Sequence, residues 1–161
     1  MKILIATGIY PPDIGGPAQY AKNTETVWKN QGHTVKVLSF RFERKLPTGI
    51  RHIWYTFRLL FQMIGSDMVI ALDTFSAGIP AVFVAKILRK KIIARIGGDF
   101  LWEAYIERTG DLVLLRNFYS TCLNKLSGKE RIIFRLTRYI LTNTDGVVFS
   151  TKWQRDIFMP T

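Results

Sequence analysis

Cysteine is almost missing from this 161-residue chain: Cys122 stands alone. One thiol cannot close an internal disulfide, so the sequence points to a reducing compartment and a buried, non-catalytic thiol among helical apolar residues. Acidic residues are also scarce, 12 against 23 Lys and Arg, which leaves a formal charge of +11. That excess predicts attraction to something anionic: nucleic acid, an acidic membrane surface or a phosphorylated ligand. Long apolar runs are lacking too. Asp67, Asp73 and Lys86 interrupt the most hydrophobic region, so no stretch approaches the ~18 residues of a spanning helix. The run Ile3 to Ala6 is too short for a secretory signal, and the amino terminus is read as mature sequence.

Low-complexity tracts, fixed-period repeats and Pro/Ser-rich linkers are all missing, and an apolar content of 48% suits one domain with one substantial core. No Gly-x-Gly-x-x-Gly follows the first strand, and no acid sits where a dinucleotide ribose needs one, Glu43 arriving late and beside two Arg. The Walker pattern and the Gly-x-Ser-x-Gly elbow are also missing. No His/Cys/Asp cluster has metal-ligand spacing. Asp67 and Asp73 are too far apart for an Asp-x-Asp diphosphate-metal site. His33, in a Gly-His turn, is read as structural, and His52 as part of a basic helix start.

What is present is an alternation. Lys2–Thr7, Thr34–Phe40, Asp67–Leu72, Lys91–Ile96 and Gly146–Phe149 are short β-rich apolar runs, as buried parallel strands are. Between them, helical periods run from Gly16-Pro17 to about Gly32, over Ile50–Ile64, Phe75–Leu88, Leu112–Leu126 and Lys129–Leu141, with Trp153–Met159 beginning another. The pattern predicts an α/β doubly wound, Rossmann-like parallel sheet. Ligands of such sheets bind beyond the carboxyl ends of the strands, which directs attention to Gly8–Pro17, Phe40–Lys45, Asp73–Gly78, Gly97–Glu103 and Ser150–Trp153.

Gly15-Gly16-Pro17 opens a helix straight after strand one, where glycines let backbone N–H groups approach a phosphate; the same residues also make a simple tight turn. In Gly97-Gly98-Asp99-Phe100-Leu101-Trp102-Glu103, Asp99 and Glu103 share a helical face if the turn is helical. A carboxylate there orients or deprotonates a hydroxyl, and Trp102 offers a stacking face. Helix capping by Asp99 with a solvated Glu103 explains the pattern equally well. Arg95 is placed to pair with either acid. Arg131, Arg135 and Arg138 form a basic stripe opposite Ile132, Ile133, Leu136 and Ile140, suited to anionic headgroups or to plain solvation. In the second long helix Ile50, Ile53, Trp54, Phe57, Leu60, Phe61 and Ile64 follow the helical period. Tyr55, Leu59 and Met63 widen the apolar face beyond one core stripe with Arg51 and Arg58 alongside, which suits membrane contact or domain docking.

The ordered set Tyr10-Pro11-Pro12-Asp13-Ile14-Gly15-Gly16-Pro17-Ala18, Gly32-His33-Thr34-Val35 and Thr144-Asp145-Gly146-Val147-Val148 with Ser150 resembles the first domain of the retaining, GT-B-fold glycosyltransferase family 4. The resemblance covers essentially the whole chain but only the family's first half. It implies an acceptor-side half of a transferase that moves a sugar from a nucleotide-sugar to a hydroxyl acceptor, lipid-linked acceptors included, without a metal or other cofactor. Gly15 and Gly16 would border the donor diphosphate, Asp99 and Glu103 would act catalytically, and Tyr10, Arg95 and Trp102 would face the acceptor. The family's paired glutamates belong to a second, carboxy-terminal Rossmann-like domain, so this half alone is expected to be inactive. The expected location is cytoplasmic, peripheral on the inner membrane face through Arg131, Arg135 and Arg138. The rival reading is a basic, non-enzymatic Rossmann-like module binding nucleic acid or anionic surfaces, its signature being steeply salt-dependent binding. No helix-turn-helix, RNA-recognition or zinc-finger pattern supports it.

Overall fold

The computed structural model describes residues 1–47 and 49–158. Met159, where the last helical reading ends, lies outside them. Five strands, β1 (Lys2–Thr7), β2 (Thr34–Ser39), β3 (Met68–Ala71), β4 (Lys91–Ile96) and β5 (Gly146–Phe149), make one sheet in the order β2-β1-β3-β4-β5. All four pairings are parallel. Among the described residues seven α-helices accompany them: α1 (Gly16–Asn30), α2 (Ile50–Ile64), α3 (Gly78–Leu88), α4 (Phe100–Thr109), α5 (Leu115–Thr121), α6 (Gly128–Asn143) and α7 (Lys152–Phe158). The result is the doubly wound, Rossmann-like sheet expected of the alternation.

Side chains alternate across the sheet and divide the core. Leu4, Ala6, Val69, Ala71, Ile92 and Ala94 face α2, α3 and Ile140 of α6, whereas Ile5, Val35, Ile70 and Leu72 face Ala21 of α1. A third cluster joins α4, α5 and α6 through Leu101, Tyr105, Phe118, Cys122 and Ile133, and Cys122 is buried there as expected. Because β1 connects to β2 on one side and the chain then crosses to β3 on the other, the loops after β1 and β3 diverge to open a crevice at the carboxyl edge.

Three helical stretches differ from what the sequence predicts. Residues Phe100–Thr109 form a full helix, closed by Gly110 at φ 70° with its N–H on the Ile106 carbonyl at 2.8 Å, the left-handed stop that glycine allows. The stretch expected to be one helix from Leu112 to Leu126 is instead the short α5 plus a 3-10 turn at Leu123–Lys125, since Leu114 is extended. Likewise α3 starts at Gly78 rather than Phe75, because Asp73 turns the chain first.

α2 departs from expectation in orientation. Tyr55, Leu59 and Met63, read as a widening of the apolar face, are its fully buried stripe, with the Tyr55 hydroxyl donating to the Leu38 carbonyl at 2.8 Å. Of the periodic set Ile50, Ile53, Trp54, Phe57, Leu60, Phe61 and Ile64, Leu60 is half-buried against the core and the other six point outward and are exposed.

Candidate functional site

At the carboxyl edge, loops following β1, β3 and β4 enclose a cleft of about 590 Å³ lined by Gly8, Gly16, Asp73, Arg95, Gly98 and Glu103 among others. The first loop owes its shape to specific anchors. Gly15 caps α1 at φ 151°, a region that disfavours any side chain, and a Cβ there would press Ile9 Cδ1 at 3.2 Å. Tyr10 donates its hydroxyl to Glu25 of α1, and Arg44 donates to the Gly8 carbonyl at 2.7 Å while lying 3.5 Å from Asp13. Glu25 also holds Lys29 at 2.7 Å and Lys22 at 3.0 Å. Burial opposes ionisation of Glu25, but the bonds from Lys29, Tyr10 and Lys22 outweigh it and hold its pKa down to about 2.

Gly16 differs from its neighbour. Nothing stands within 4 Å of where its Cβ would be, so the protein itself does not require a glycine there; the space in front belongs to the cleft. α1 has no side-chain cap and no acid in its first turn, which leaves its amino-terminal end electrostatically open to an anion. Two cations reinforce it. Arg44 and Arg95 line the same cleft, and Arg95 lies over the Tyr20 ring at 4.1 Å while donating to Ser150 Oγ at 2.9 Å. Arg95 thus ties β4 to α1 and to the loop after β5, and pairs with neither Asp99 nor Glu103.

Carboxylates face the cleft from two other elements. Glu103, in the first turn of α4, is accessible along the wall, with Oε1 3.1 Å from where a Gly98 Cβ would sit. Partial burial, and secondarily the charge of Asp99, raise its pKa. Asp73, just beyond β3, accepts through Oδ1 from the N–H groups of Phe75 at 3.0 Å and Ala77 at 2.9 Å. Its Oδ2 is buried with no partner among the described residues and would lie 2.9 Å from a Cβ on Gly8. A carboxylate oxygen left unpaired beside a cleft carries an unmet hydrogen-bonding capacity. The sequence directs attention to Asp73–Gly78 as a whole and singles out Asp73 only in setting aside a metal motif. The signal that marks it is its position: an acid just beyond a strand, five residues before Gly78, whose Cβ would collide with the Asp73 carbonyl.

The structure therefore brings Gly16, Arg95 and Glu103 together and adds Asp73, Arg44 and Gly8. It does not bring Tyr10, Gly15, Asp99 or Trp102 to the lining. Asp99 is 4% exposed and caps α4, its Oδ1 accepting from Leu101 N at 3.0 Å and Trp102 N at 3.1 Å, its Oδ2 from the Tyr119 hydroxyl at 2.6 Å. Burial dominates and raises its pKa despite those bonds. The capping alternative accounts for Asp99, whose carboxylate has no free face for an acceptor. Trp102 donates Nε1 to the Val113 carbonyl at 2.8 Å and packs with α5. Arg131, Arg135 and Arg138 are exposed on α6, away from this lining. Among the described residues no three His, Cys, Asp or Glu side chains gather as a metal site, and no helix is long and apolar enough to cross a membrane.

Comparison with protein-family models, with curated proteins and with solved structures finds no match.

Proposed function

We propose that the cleft binds a diphosphate-bearing sugar beside a hydroxyl acceptor, as the acceptor-side half of a retaining glycosyltransferase. The observation that carries this reading is the meeting of two loops at one crevice: the Gly16 end of α1, free of side chains, and the Gly97–Glu103 turn after β4. Transfer of a glycosyl group leaves negative charge on the departing diphosphate and needs an oriented nucleophile. Gly16 N–H, Arg95 and Arg44 supply positive potential for the first need. Glu103 and Asp73 Oδ2 supply acceptors for hydroxyl groups, and the raised pKa of Glu103 suits a base that takes a proton from the attacking hydroxyl. The ordered resemblance to glycosyltransferase family 4 supports the same assignment for Gly16, and directs most of the donor contacts to a second Rossmann-like half.

Saturation-transfer NMR with nucleoside diphosphates and nucleotide-sugars tests the binding step on this chain. The expected result is a signal from the diphosphate-bearing ligands that Gly16→Asp abolishes, since that substitution adds a repelling carboxylate where nothing in the protein obstructs it. No signal, or a signal that survives Gly16→Asp unchanged, overturns the reading. Release of nucleoside diphosphate in the presence of a partnering donor-side half then tests the chemistry.

A further inference from the structure

Away from the cleft, α2 is apolar on two opposite sides. Its inward stripe packs into the core, and its outward six, Ile50, Ile53, Trp54, Phe57, Phe61 and Ile64, fall within an arc of about 100° on a 3.6-residue helix. Phe61 is 71% exposed and Ile53 61%. α3 extends the surface with Phe83 and Ile87, and a groove of about 780 Å³ runs between α2, α3 and α6, closed on the third side by Leu136 and Tyr139. A contiguous apolar surface of this kind, carried by packed helices rather than by loops, marks a place where something docks.

Charge selects the occupant. α2, α3 and α6 together carry seven Lys and Arg and a single acid, Glu130. Glu130 is 3% exposed and bonded to Arg108 at 2.6 Å, so it contributes no free negative charge to the face. Arg58, among Ile53, Trp54 and Phe57, is paired with buried Glu43, so the charged rim is carried by Lys86 beside Ile87 and by the arginines of α6. On α6 the Arg131, Arg135 and Arg138 stripe sits about 100° round from the edge formed by Ile132, Leu136 and Tyr139, on the side away from buried Ile133 and Ile140. An apolar, aromatic centre rimmed only by cations repels a second copy of itself. It matches a lipid interface whose headgroups are anionic.

We infer that the outward faces of α2 and α3, rimmed by the cations of α3 and α6, seat this protein on the surface of an anionic bilayer, with Trp54, Phe57 and Phe61 entering the headgroup boundary. The inference does not rest on the cleft's chemistry. It does place the cleft beside the lipid: Phe75 lines the apolar groove, Phe100 lines the cleft, and the two rings stack at 5.1 Å.

Flotation with vesicles of phosphatidylcholine alone, or with phosphatidylglycerol added, tests it on the whole chain. The expected result is flotation with the anionic vesicles, weak or none with the neutral ones, and a blue-shifted tryptophan emission that W54F removes while flotation persists. The triple substitution Trp54→Ser, Phe57→Ser, Phe61→Ser replaces only exposed side chains; it is expected to keep the wild-type melting temperature and lower vesicle partitioning on the order of tenfold or more. Failure of the wild type to float with anionic vesicles overturns the inference. So does flotation undiminished in the triple variant, which marks adhesion by charge elsewhere, or a solution dimer that the triple variant dissociates without any vesicle binding. Gly16→Asp is expected to leave flotation unaltered, so a failed vesicle experiment and a failed nucleotide-sugar experiment are told apart.

Discussion

The cleft and the apolar face are neighbours built on opposite plans. The cleft is made at the carboxyl edge of the sheet: Arg95 at the end of β4, Glu103 in the first turn of α4, Asp73 in the turn after β3 and Arg44 after β2 converge on it from separate elements. The face on α2 and α3 is made of helix sides, one residue type repeating at one period, with no convergent polar group. One stacked pair, Phe75 and Phe100, divides them. Convergent polar groups in a concavity fix the orientation of a small ligand, whereas a repeating apolar stripe fixes only a plane. If the two proposals hold, substitutions on one side are expected to spare the other.

The largest separation is expected at Glu103. Glu103→Gln keeps the shape and the first turn of α4 but removes the carboxylate facing the cleft. Transfer measured with a donor-side half is expected to fall by roughly 10²–10⁴-fold, the range for loss of a general base, with vesicle flotation and melting temperature unchanged. Because burial and Asp99 raise the pKa of Glu103, wild-type activity is expected to decline as pH falls through a value above the ordinary glutamate range. A transfer rate that is insensitive to both tests reduces Glu103 to a solvated helix acid. Next in size is Gly16→Asp, expected to weaken diphosphate binding by about tenfold or more through repulsion at the helix terminus. A protein that melts early with Gly16→Asp contradicts the open space in front of that residue.

Much of this organisation was legible beforehand, and the reasons differ by region. β1, buried on both faces, is a continuous apolar run, and short β-rich runs bounded by turn residues also mark β4 and β5, so all three match their expected bounds. Glycine spacing marked the loop before α1, because the cap at Gly15 demands a positive φ. α4 was read only as a turn, since its sequence mixes Glu103, Ala104, Glu107 and Arg108 with few inward residues and Leu101 and Tyr105 alone are buried. The period of α2 was visible, but a period does not say which of two apolar stripes meets the sheet; packing against Leu38, Phe40 and Ala81 decides that. Asp73 escaped because an orphaned oxygen is a property of three dimensions, and Asp99 was ambiguous because a cap and a catalytic acid at that spacing have the same sequence.

Asp99 also offers a middle-sized test of the contrast, since its cap supports the cleft wall without touching ligand. Asp99→Ala removes a helix cap, worth about 1 kcal/mol, and leaves the Tyr119 hydroxyl unpaired at a further cost of about 1–2 kcal/mol. Thermal melting is expected to register both, and transfer to fall only as folding does. Asp99→Asn keeps a cap. The folded-state pKa of Asp99 is raised, so its contribution is full at acid pH and is lost as pH rises through that value; the Asn variant is expected to gain on the wild type across the same rise. Activity loss by Asp99→Asn without any melting change contradicts a purely capping residue.

The smallest expected effect lies at Glu25, and it asks whether a loop-built site depends on remote anchors that a helix-built face does not need. Glu25 joins α1 to the glycine loop through Tyr10 and holds two lysines. Its pKa falls from 4.5 to about 2 on folding, so the stability it contributes is present above 4.5 and is lost as pH drops towards 2. Glu25→Gln is expected to cost about 1 kcal/mol at pH 7, the exposed lysines being screened, and the difference from wild type in denaturant midpoints is expected to vanish near pH 2. Loosening Tyr10 frees the segment from Gly8 to Gly15, so diphosphate binding is expected to weaken several-fold while vesicle flotation stays constant. Equal losses of both functions would show that α1 supports the whole molecule, and the division between cleft and face would then be one of position only.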